Sequence, residues 1–166
     1  MAALPDAEAL CAQLAHELKG RVAPGVAMVG IHTGGAWVAE RLHAALALPE
    51  PLGLLDIAFY RDDYAQQGLA KDPKRSKIPF DVAGRHLLLV DDVLYTGRTV
   101  RAAMNELFDY GRPASITLAV LAERDGRELP VCAQHCGAKL AVPAGQRLRL
   151  RRNAAGRLSL ELERAA

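Results

Sequence analysis

The chain has 166 residues, of which 51% are hydrophobic, and it carries a formal net charge of +2 at pH 7. This length is sufficient for one domain with a substantial core, and no apolar run approaches the about 20 residues that a membrane span needs. We therefore expect a single cytoplasmic domain over residues 1–166 with no export signal and no membrane partner. The small net charge does not indicate a nucleic-acid-binding protein. The three cysteines are Cys11, Cys132 and Cys136. Because they lack C-x-x-C spacing, they favour reduced thiols over a structural zinc site.

The N-terminal part of the chain predicts a helix, a buried strand and a second helix. Asp6 is a suitable N-cap, and Gly20 ends a pattern in which leucine recurs at every fourth residue. Residues 26–31 form an apolar run, which is typical of a strand buried on both faces. The second helix is predicted over residues 36–46, and its inward face consists of Val38, Leu42 and Ala45.

A further strand, predicted over residues 52–60, is followed by a long polar stretch. From about residue 62 to residue 84 the sequence lacks apolar periodicity and collects glutamine, lysine, arginine and proline. A stretch of this length in a compact domain indicates a functional loop or disorder.

The most informative part of the sequence is a strand, an acid pair, a small-residue turn and a helix within fourteen residues. Leu87 to Val90 is apolar, Asp91 and Asp92 follow at once, and a turn with Thr96, Gly97 and Thr99 precedes the helical pattern. Such a turn presents backbone N–H groups and hydroxyls to a phosphate at a helix N-terminus. The carboxylates suit ribose hydroxyls or a hydrated Mg²⁺. Taken separately, the two acids would equally suit a solvated strand end. Thr99 alone would equally suit an ordinary helix N-cap.

The C-terminal half predicts one helix, one strand and one hairpin. The helix buries a face formed by Val100, Met104, Leu107 and Phe108, and it ends at Gly111. An apolar strand follows over residues 115–121. Strict alternation on both sides of a turn at residues 153–156 predicts a β-hairpin over about 146–163. Its leucines lie on one side, and its arginines face Glu161 and Glu163 on the other, which explains that face without RNA.

The segment from Val90 to Thr99 (VDDVLYTGRT) resembles the phosphoribosyl-pyrophosphate (PRPP) motif of type I phosphoribosyltransferases. The particular residues of this segment are similar to those of one branch, the PyrR proteins, which regulate pyrimidine operons and have uracil phosphoribosyltransferase activity. Three further segments agree with that branch: 56–63 (DIAFYRDD), 111–116 (GRPASI) and 127–130 (RELP). The resemblance implies an α/β fold in which helices flank a parallel sheet of about five strands. It also implies a small hood, formed by the N-terminal helix and the C-terminal segments.

The resemblance also implies roles for individual residues. Asp91, Asp92 and Arg61 correspond to the catalytic residues, and the two aspartates would hold Mg²⁺ through water. The residues that bind PRPP or the nucleotide would be Val93, Leu94, Tyr95, Thr96, Gly97, Arg98 and Thr99. The pyrophosphate loop would be His32, Thr33, Gly34 and Gly35. On the base side, in the hood, the corresponding residues are Arg127, Val131 and Lys139. The polar stretch 62–84 would be a lid over PRPP, and it could supply positive charge from Lys71, Lys74, Arg75 and Lys77.

Two segments depart from the family pattern. Relatives commonly have Lys-Thr-Arg-Gly where this chain has His32-Thr33-Gly34-Gly35, so two cations are missing from a site for a polyanion. Each lost charge-assisted bond is worth about 1.5–3 kcal/mol. Residues 132–139 also differ from a family segment that lies against the base.

Several functional alternatives follow from these departures. The expected reaction converts uracil and PRPP to UMP and pyrophosphate, in a protein that is at least a homodimer. One alternative is a phosphoribosyltransferase for another base, such as a purine. The other is a non-catalytic or weakly catalytic regulator that senses UMP and binds pyrimidine operon leader RNA. The resemblance to the PyrR proteins motivates it, together with six basic residues: Lys71, Lys74, Arg75, Arg147, Arg149 and Arg151.

Overall fold

The structure is a computed structural model, and it describes residues 3–57 and 76–166. Three helices lie in these ranges: α1 (Ala7–Leu18), α2 (Gly34–Leu46) and α3 (Arg98–Tyr110). The strands that precede or follow them are β1 (Ala27–Ile31), β2 (Gly53–Leu55), β3 (His86–Leu94), β4 (Ser115–Arg124), β5 (His135–Leu140), β6 (Gln146–Arg152) and β7 (Leu158–Arg164).

Five strands form one parallel sheet in the order β2-β1-β3-β4-β5, as the family resemblance implies. Because every pair is parallel, the carboxyl ends of the strands all lie along one edge of the sheet, where ligands bind in open α/β folds. The predicted hairpin is present as the antiparallel pair β6 and β7.

The sheet is covered on both faces, so two hydrophobic clusters form. On one face, α1, α2 and the leucines of the hairpin pack together, and the leucines predicted for α1 are among the buried residues. On the other face, α3 packs with residues from the middle of the chain such as Ile57 and Val82. The run Leu87 to Val90 is fully buried between these layers, as expected for a central strand.

The hood predicted from the N-terminal helix and C-terminal segments corresponds to α1 and the β6–β7 hairpin, joined by polar contacts. Glu8 of α1 binds Arg41 of α2 (Nε···Oε2, 3.1 Å) and accepts a hydrogen bond from the Leu158 N–H at 2.8 Å. Arg41 also donates to the Gly156 carbonyl at 2.6 Å. At the same end of the hairpin, the Arg152 guanidinium lies 4.8 Å from the centroid of the Trp37 ring, in the first turn of α2.

Several predicted positions differ from the structure. Ala45, expected to face inward, is exposed. Phe108 is 56% exposed because the buried face of α3 turns toward Ala102, Ala103 and Leu107 instead. The strand expected over residues 52–60 is regular only at Gly53–Leu55, and its last three residues lie outside the described ranges.

Part of the expected lid belongs to the core. In the described portion, residues 76–84, Val82 is buried and Ile78 and Phe80 are partly buried against α3 and β2. Their alternate spacing is the pattern of an extended segment with one apolar side, which the high polar content of the stretch obscured. The loop is therefore shorter at its C-terminal side than predicted. Lys77 pairs with Leu54 through two backbone hydrogen bonds of 2.7 and 2.8 Å.

Candidate active site

The two aspartates of the central motif lie within β3, which continues to Leu94 rather than ending before them. Asp91 is only 4% exposed, whereas Asp92 is half-buried. The Oδ1 atom of Asp91 accepts a hydrogen bond from the Asp92 N–H at 2.9 Å, which helps to fix the orientation of its carboxylate. The strand thus presents one buried and one accessible carboxylate at the carboxyl edge of the sheet.

The predicted pyrophosphate loop lies directly against these carboxylates. Since β1 is hydrogen-bonded beside β3, with Gly30 opposite Val90, the residues that follow β1 reach the same edge. A Cβ atom on Gly35 would lie 2.8 Å from the Val90 carbonyl oxygen and 2.9 Å from the Asp91 Cα. A Cβ atom on Gly34 would overlap the carboxylate of Asp92. Glycine at position 35 is therefore required by the backbone of β3, and glycine at position 34 leaves room for the Asp92 carboxylate.

The predicted phosphate loop is a three-residue turn between β3 and α3. It consists of Tyr95, Thr96 and Gly97, and Gly97 has a φ of +92° as the N-cap of α3. This left-handed conformation favours glycine. The Thr96 hydroxyl accepts a hydrogen bond from the Arg98 N–H at 3.2 Å. The turn thus sits at the positive end of a thirteen-residue helix, which suits a phosphate.

The chain after β4 packs against this turn. The Thr96 carbonyl accepts hydrogen bonds from the N–H groups of Glu128 and Leu129, at 3.0 and 3.1 Å. The Tyr95 carbonyl accepts one from the guanidinium of Arg127. Val131 also reaches the turn, because a Cβ atom on Gly97 would lie 3.3 Å from the Val131 Cβ. Sequence reasoning assigned Arg127 and Val131 to the base side and missed this contact, for which the RELP segment carries no recognisable signal.

The remaining predicted site residues lie on or beside the edge strands of the sheet or outside the described part. Lys139 is an exposed residue of β5, opposite Glu123 in the β4–β5 register. Arg61 falls outside the described ranges, as do Lys71, Lys74 and Arg75. Lys77 is described, next to β2.

A buried acid of α3 is hydrogen-bonded to Ser76 and, through the Ser76 hydroxyl, is linked to Asp56. Glu106 is 8% exposed, and its Oε1 atom accepts a hydrogen bond from the Ser76 hydroxyl at 2.5 Å. The same hydroxyl accepts one from the Asp56 N–H at 2.8 Å. Burial raises the pKa of Glu106 above its usual value, although the Ser76 bond opposes that shift. Residues 56 and 76 are therefore held together at one point on the helix that carries the phosphate turn.

The described residues contain no group of three or more histidine, cysteine or acidic side chains placed to hold a metal ion. No helix in residues 3–57 or 76–166 is long and apolar enough to cross a membrane.

Comparison with known proteins agrees with this geometry. The phosphoribosyl transferase domain family model matches residues 2–136. A relative from Nitrosococcus oceani is 58% identical over 126 residues, which cover 75% of this chain and 71% of that protein. A relative from Pseudomonas syringae pv. syringae is 50% identical over 151 residues, which cover 89% of each protein. Both relatives are named "Bifunctional protein PyrR".

Solved structures of phosphoribosyltransferases share the fold. The purine phosphoribosyltransferase from Pyrococcus horikoshii has a TM-score of 0.60 and 26% identity, covering 81% of this chain and 85% of its own. A hypoxanthine-guanine phosphoribosyltransferase from Bacillus anthracis has a TM-score of 0.64 and 15% identity, covering 83% and 79%. The chain therefore belongs to the phosphoribosyl transferase domain family and, within that family, to the PyrR proteins.

Proposed function

We propose that this protein is a uracil phosphoribosyltransferase, which transfers the ribose 5-phosphate group from PRPP to uracil and releases pyrophosphate. The observation that carries the proposal is the meeting of two anion-binding turns at one pair of carboxylates. The turn after β1 touches Asp91 and Asp92, and the turn after β3 opens the helix that follows them. PRPP has a phosphate at one end and a pyrophosphate at the other, with ribose hydroxyls between them, and this arrangement matches that order.

Each part of PRPP then has its own residues. Thr96, Gly97, Arg98 and Thr99 hold the 5-phosphate, and Asp91 and Asp92 accept hydrogen bonds from the ribose hydroxyls. The loop of His32, Thr33, Gly34 and Gly35 binds the pyrophosphate mainly through backbone N–H groups, because two of its positions lack the cations common in relatives. Loss of those cations is expected to weaken pyrophosphate binding more than binding of the 5-phosphate.

The two carboxylates fit a magnesium ion that is held together with the substrate. Among the described residues, Asp91 and Asp92 lie beside Gly34 and Gly35, and Mg²⁺ is commonly bound by one or two carboxylates, several waters and substrate phosphates. Asp92, which is accessible, and Asp91, which is buried beside it, would hold the ion through water. When bound, Mg²⁺ would offset part of the negative charge of the pyrophosphate.

The reaction needs positioning and charge more than a protein nucleophile. The bond from the ribose C1 atom to pyrophosphate breaks, a bond to a ring nitrogen of uracil forms, and that nitrogen loses its proton. Positive charge develops on the ribosyl group during the transfer, and fixed carboxylates at its hydroxyls stabilise that charge. The pyrophosphate loop stabilises the negative charge of the departing pyrophosphate.

Incubation with PRPP, Mg²⁺ and a panel of labelled bases tests the assignment. We expect turnover of uracil, with UMP and pyrophosphate formed in equal amounts. The names of the relatives support uracil over a purine, since the structural likeness to purine enzymes is much more distant in sequence. Turnover of hypoxanthine but not uracil would overturn the assignment of the base, and failure to bind any ribose phosphate would overturn the proposal as a whole.

We propose as a second function that the protein regulates pyrimidine operon expression in response to UMP. The word "bifunctional" in the names of the relatives supports it. The hairpin offers less positive charge to RNA than its arginines suggest. Arg149 pairs with Glu163 at 3.1 Å, and Arg151 pairs with both Glu161 and Glu163.

A filter-binding titration on the leader RNA of the protein's own pyrimidine operon tests this function. We expect binding that UMP strengthens and that survives at moderate salt, since specific contacts persist when phosphate contacts are screened. Binding that does not depend on UMP and disappears at moderate salt would indicate nonspecific contact with RNA. The enzymatic function would then be the only one supported.

A further inference from the structure

The phosphate turn is held from behind through two consecutive carbonyl groups. The Tyr95 carbonyl accepts a hydrogen bond from the Arg127 guanidinium, and the Thr96 carbonyl accepts bonds from the N–H groups of Glu128 and Leu129. All three donors belong to the segment that follows β4. Both carbonyls are thus drawn toward one side of the turn.

The direction of these carbonyls sets the direction of two N–H groups. The peptide bonds of this turn are trans, since the one cis peptide within residues 3–57 and 76–166 joins His32 and Thr33. In a planar trans peptide the C=O and N–H bonds point to opposite sides. The Thr96 N–H shares a peptide with the Tyr95 carbonyl, and the Gly97 N–H shares one with the Thr96 carbonyl. Both N–H groups therefore face away from the segment after β4, which is the direction a bound phosphate would occupy.

We propose that Arg127, held by Glu123, is a positioning residue that aims the Thr96 N–H group of the phosphate turn at the 5-phosphate, while backbone groups of the same segment aim the Gly97 N–H. This role rests on the proposed function and differs from the base-side role that the family resemblance implies for Arg127. Glu123 Oε1 accepts a hydrogen bond from Arg127 Nη2 at 2.5 Å, and about three-quarters of each side chain is covered. One guanidinium thus joins a fixed carboxylate to the Tyr95 carbonyl, which is a use of its planar fork that lysine does not reproduce.

The surroundings of Tyr95 keep this arrangement in place. The Arg124 guanidinium lies 4.1 Å from the centroid of the Tyr95 ring. Gly126 lies against the same ring, where a Cβ atom would overlap it, and has a φ of +115° that favours glycine. The side chain of Tyr95 is therefore held near the segment after β4, together with its carbonyl.

The test compares ligands with and without the 5-phosphate on Arg127→Gln. Calorimetry measures the Kd of UMP, of ribose 5-phosphate and of uridine. Because the charged hydrogen bond to the Tyr95 carbonyl is lost and the Thr96 N–H that shares its peptide is misdirected, we expect the Kd of UMP and of ribose 5-phosphate to rise about tenfold. The Kd of uridine should change by less than about twofold, as expected when no contact with the base is removed.

A matched control and a second variant separate positioning from damage to the fold. Arg85 also forms a partly buried ion pair, with Glu50 at 2.9 Å, but it precedes the amino end of β3, at the opposite edge of the sheet. Arg85→Gln should leave all three Kd values unchanged. Glu123→Gln keeps an acceptor for Arg127 but removes the charge. It should therefore raise the Kd of UMP by a smaller factor than Arg127→Gln does.

A double-mutant cycle tests whether Glu123 acts through Arg127. If it does, Glu123→Ala should add nothing to Arg127→Gln in the Kd of ribose 5-phosphate. The proposal is overturned if Arg127→Gln weakens uridine and UMP equally, which would indicate a contact with the base. It is also overturned if the variant folds and binds ribose 5-phosphate as tightly as the wild type. Ribose 5-phosphate contains no base, so these outcomes remain decisive even if uracil proves to be the wrong substrate.

Discussion

Gly34 and Gly35 are adjacent glycines, but the atoms that surround them differ in whether they can move. The space beside Gly35 is closed by backbone atoms of β3, whereas the space beside Gly34 is closed by the end of the Asp92 side chain. Backbone in the middle of a sheet cannot shift to make room, but a half-buried carboxylate can rotate. The same substitution at the two positions should therefore have different consequences.

We expect Gly35→Ala to lower the free energy of unfolding by about 1–3 kcal/mol, because its Cβ overlaps the Val90 carbonyl region. Gly34→Ala should leave stability near that of the wild type, since alanine favours a helix more than glycine does, but it should weaken PRPP binding by displacing Asp92. Thermal unfolding and calorimetry with PRPP and Mg²⁺ measure the two effects. A Gly35→Ala protein as stable as the wild type would contradict the close approach of the loops.

Glu106 provides a second prediction at the residue scale, on the dependence of stability on pH. Burial raises the pKa of this carboxyl in the folded protein, so the folded state favours the protonated form. Its contribution to stability is then fully present below the unfolded pKa and is lost as the pH rises through the folded value. Its second oxygen, Oε2, is buried and has no hydrogen-bond partner among the described residues.

We expect Glu106→Gln to remove this loss, because glutamine stays neutral and still offers an acceptor to Ser76. The Tm of the variant minus that of the wild type should therefore increase as the pH is raised from acidic to neutral. A series of melting curves across that range provides the measurement. A difference that stays constant with pH would show that Glu106 does not titrate in this interval.

At the scale of elements, one ion pair joins α1, α2 and the hairpin. Glu8 accepts two hydrogen bonds from Arg41, at 3.1 and 3.2 Å, and a third from the Leu158 N–H. Hydrogen bonds with Arg41 hold the pKa of Glu8 below its usual value. The stability that this carboxylate provides is present above its unfolded pKa and is lost as the pH falls through the folded value.

Replacing Glu8 by glutamine should lower the free energy of unfolding by about 1–3 kcal/mol near neutral pH, since the carboxylate accepts three hydrogen bonds. Glu161→Gln is a suitable control, because Glu161 lies 3.8 Å from Arg151 and both side chains are more than half exposed. Exposed pairs of this kind contribute about 0–1 kcal/mol. Chemical denaturation of both variants decides the matter, and equal losses would mean that the contacts of Glu8 do not join these elements.

The elements that could be predicted from the sequence are those with a strong local pattern. The four-residue leucine spacing of α1, the apolar run of β3 and the alternation of the hairpin are all confirmed. By contrast, β5 was not predicted, because its residues are partly buried or exposed at the sheet edge and include glycine, alanine and lysine. Such a strand forms through pairing with β4 and has little pattern of its own.

At the scale of the whole molecule, the parts of the site with a strong local sequence pattern could likewise be predicted. Strand-and-turn motifs placed the carboxylates and the two loops predicted to bind anions at the same edge, since parallel neighbours share that edge. Support from distant residues could not be predicted. The contacts of Arg127 with Tyr95, and of Glu106 with Ser76, join positions about thirty residues apart, and neither follows from periodicity or local propensity.

The Arg152 and Trp37 contact has a practical consequence for experiments on the intact protein. Trp37 is the only tryptophan, so it acts as an intrinsic fluorophore, and it lies two residues after Gly35, the end of the predicted pyrophosphate loop, next to a cation from the hairpin. Pyrophosphate with Mg²⁺ should change its emission as that loop fills. Arg152→Gln should change the emission of the free protein without changing the Kd. Titrations of ligand or RNA can then be followed optically without attaching a label.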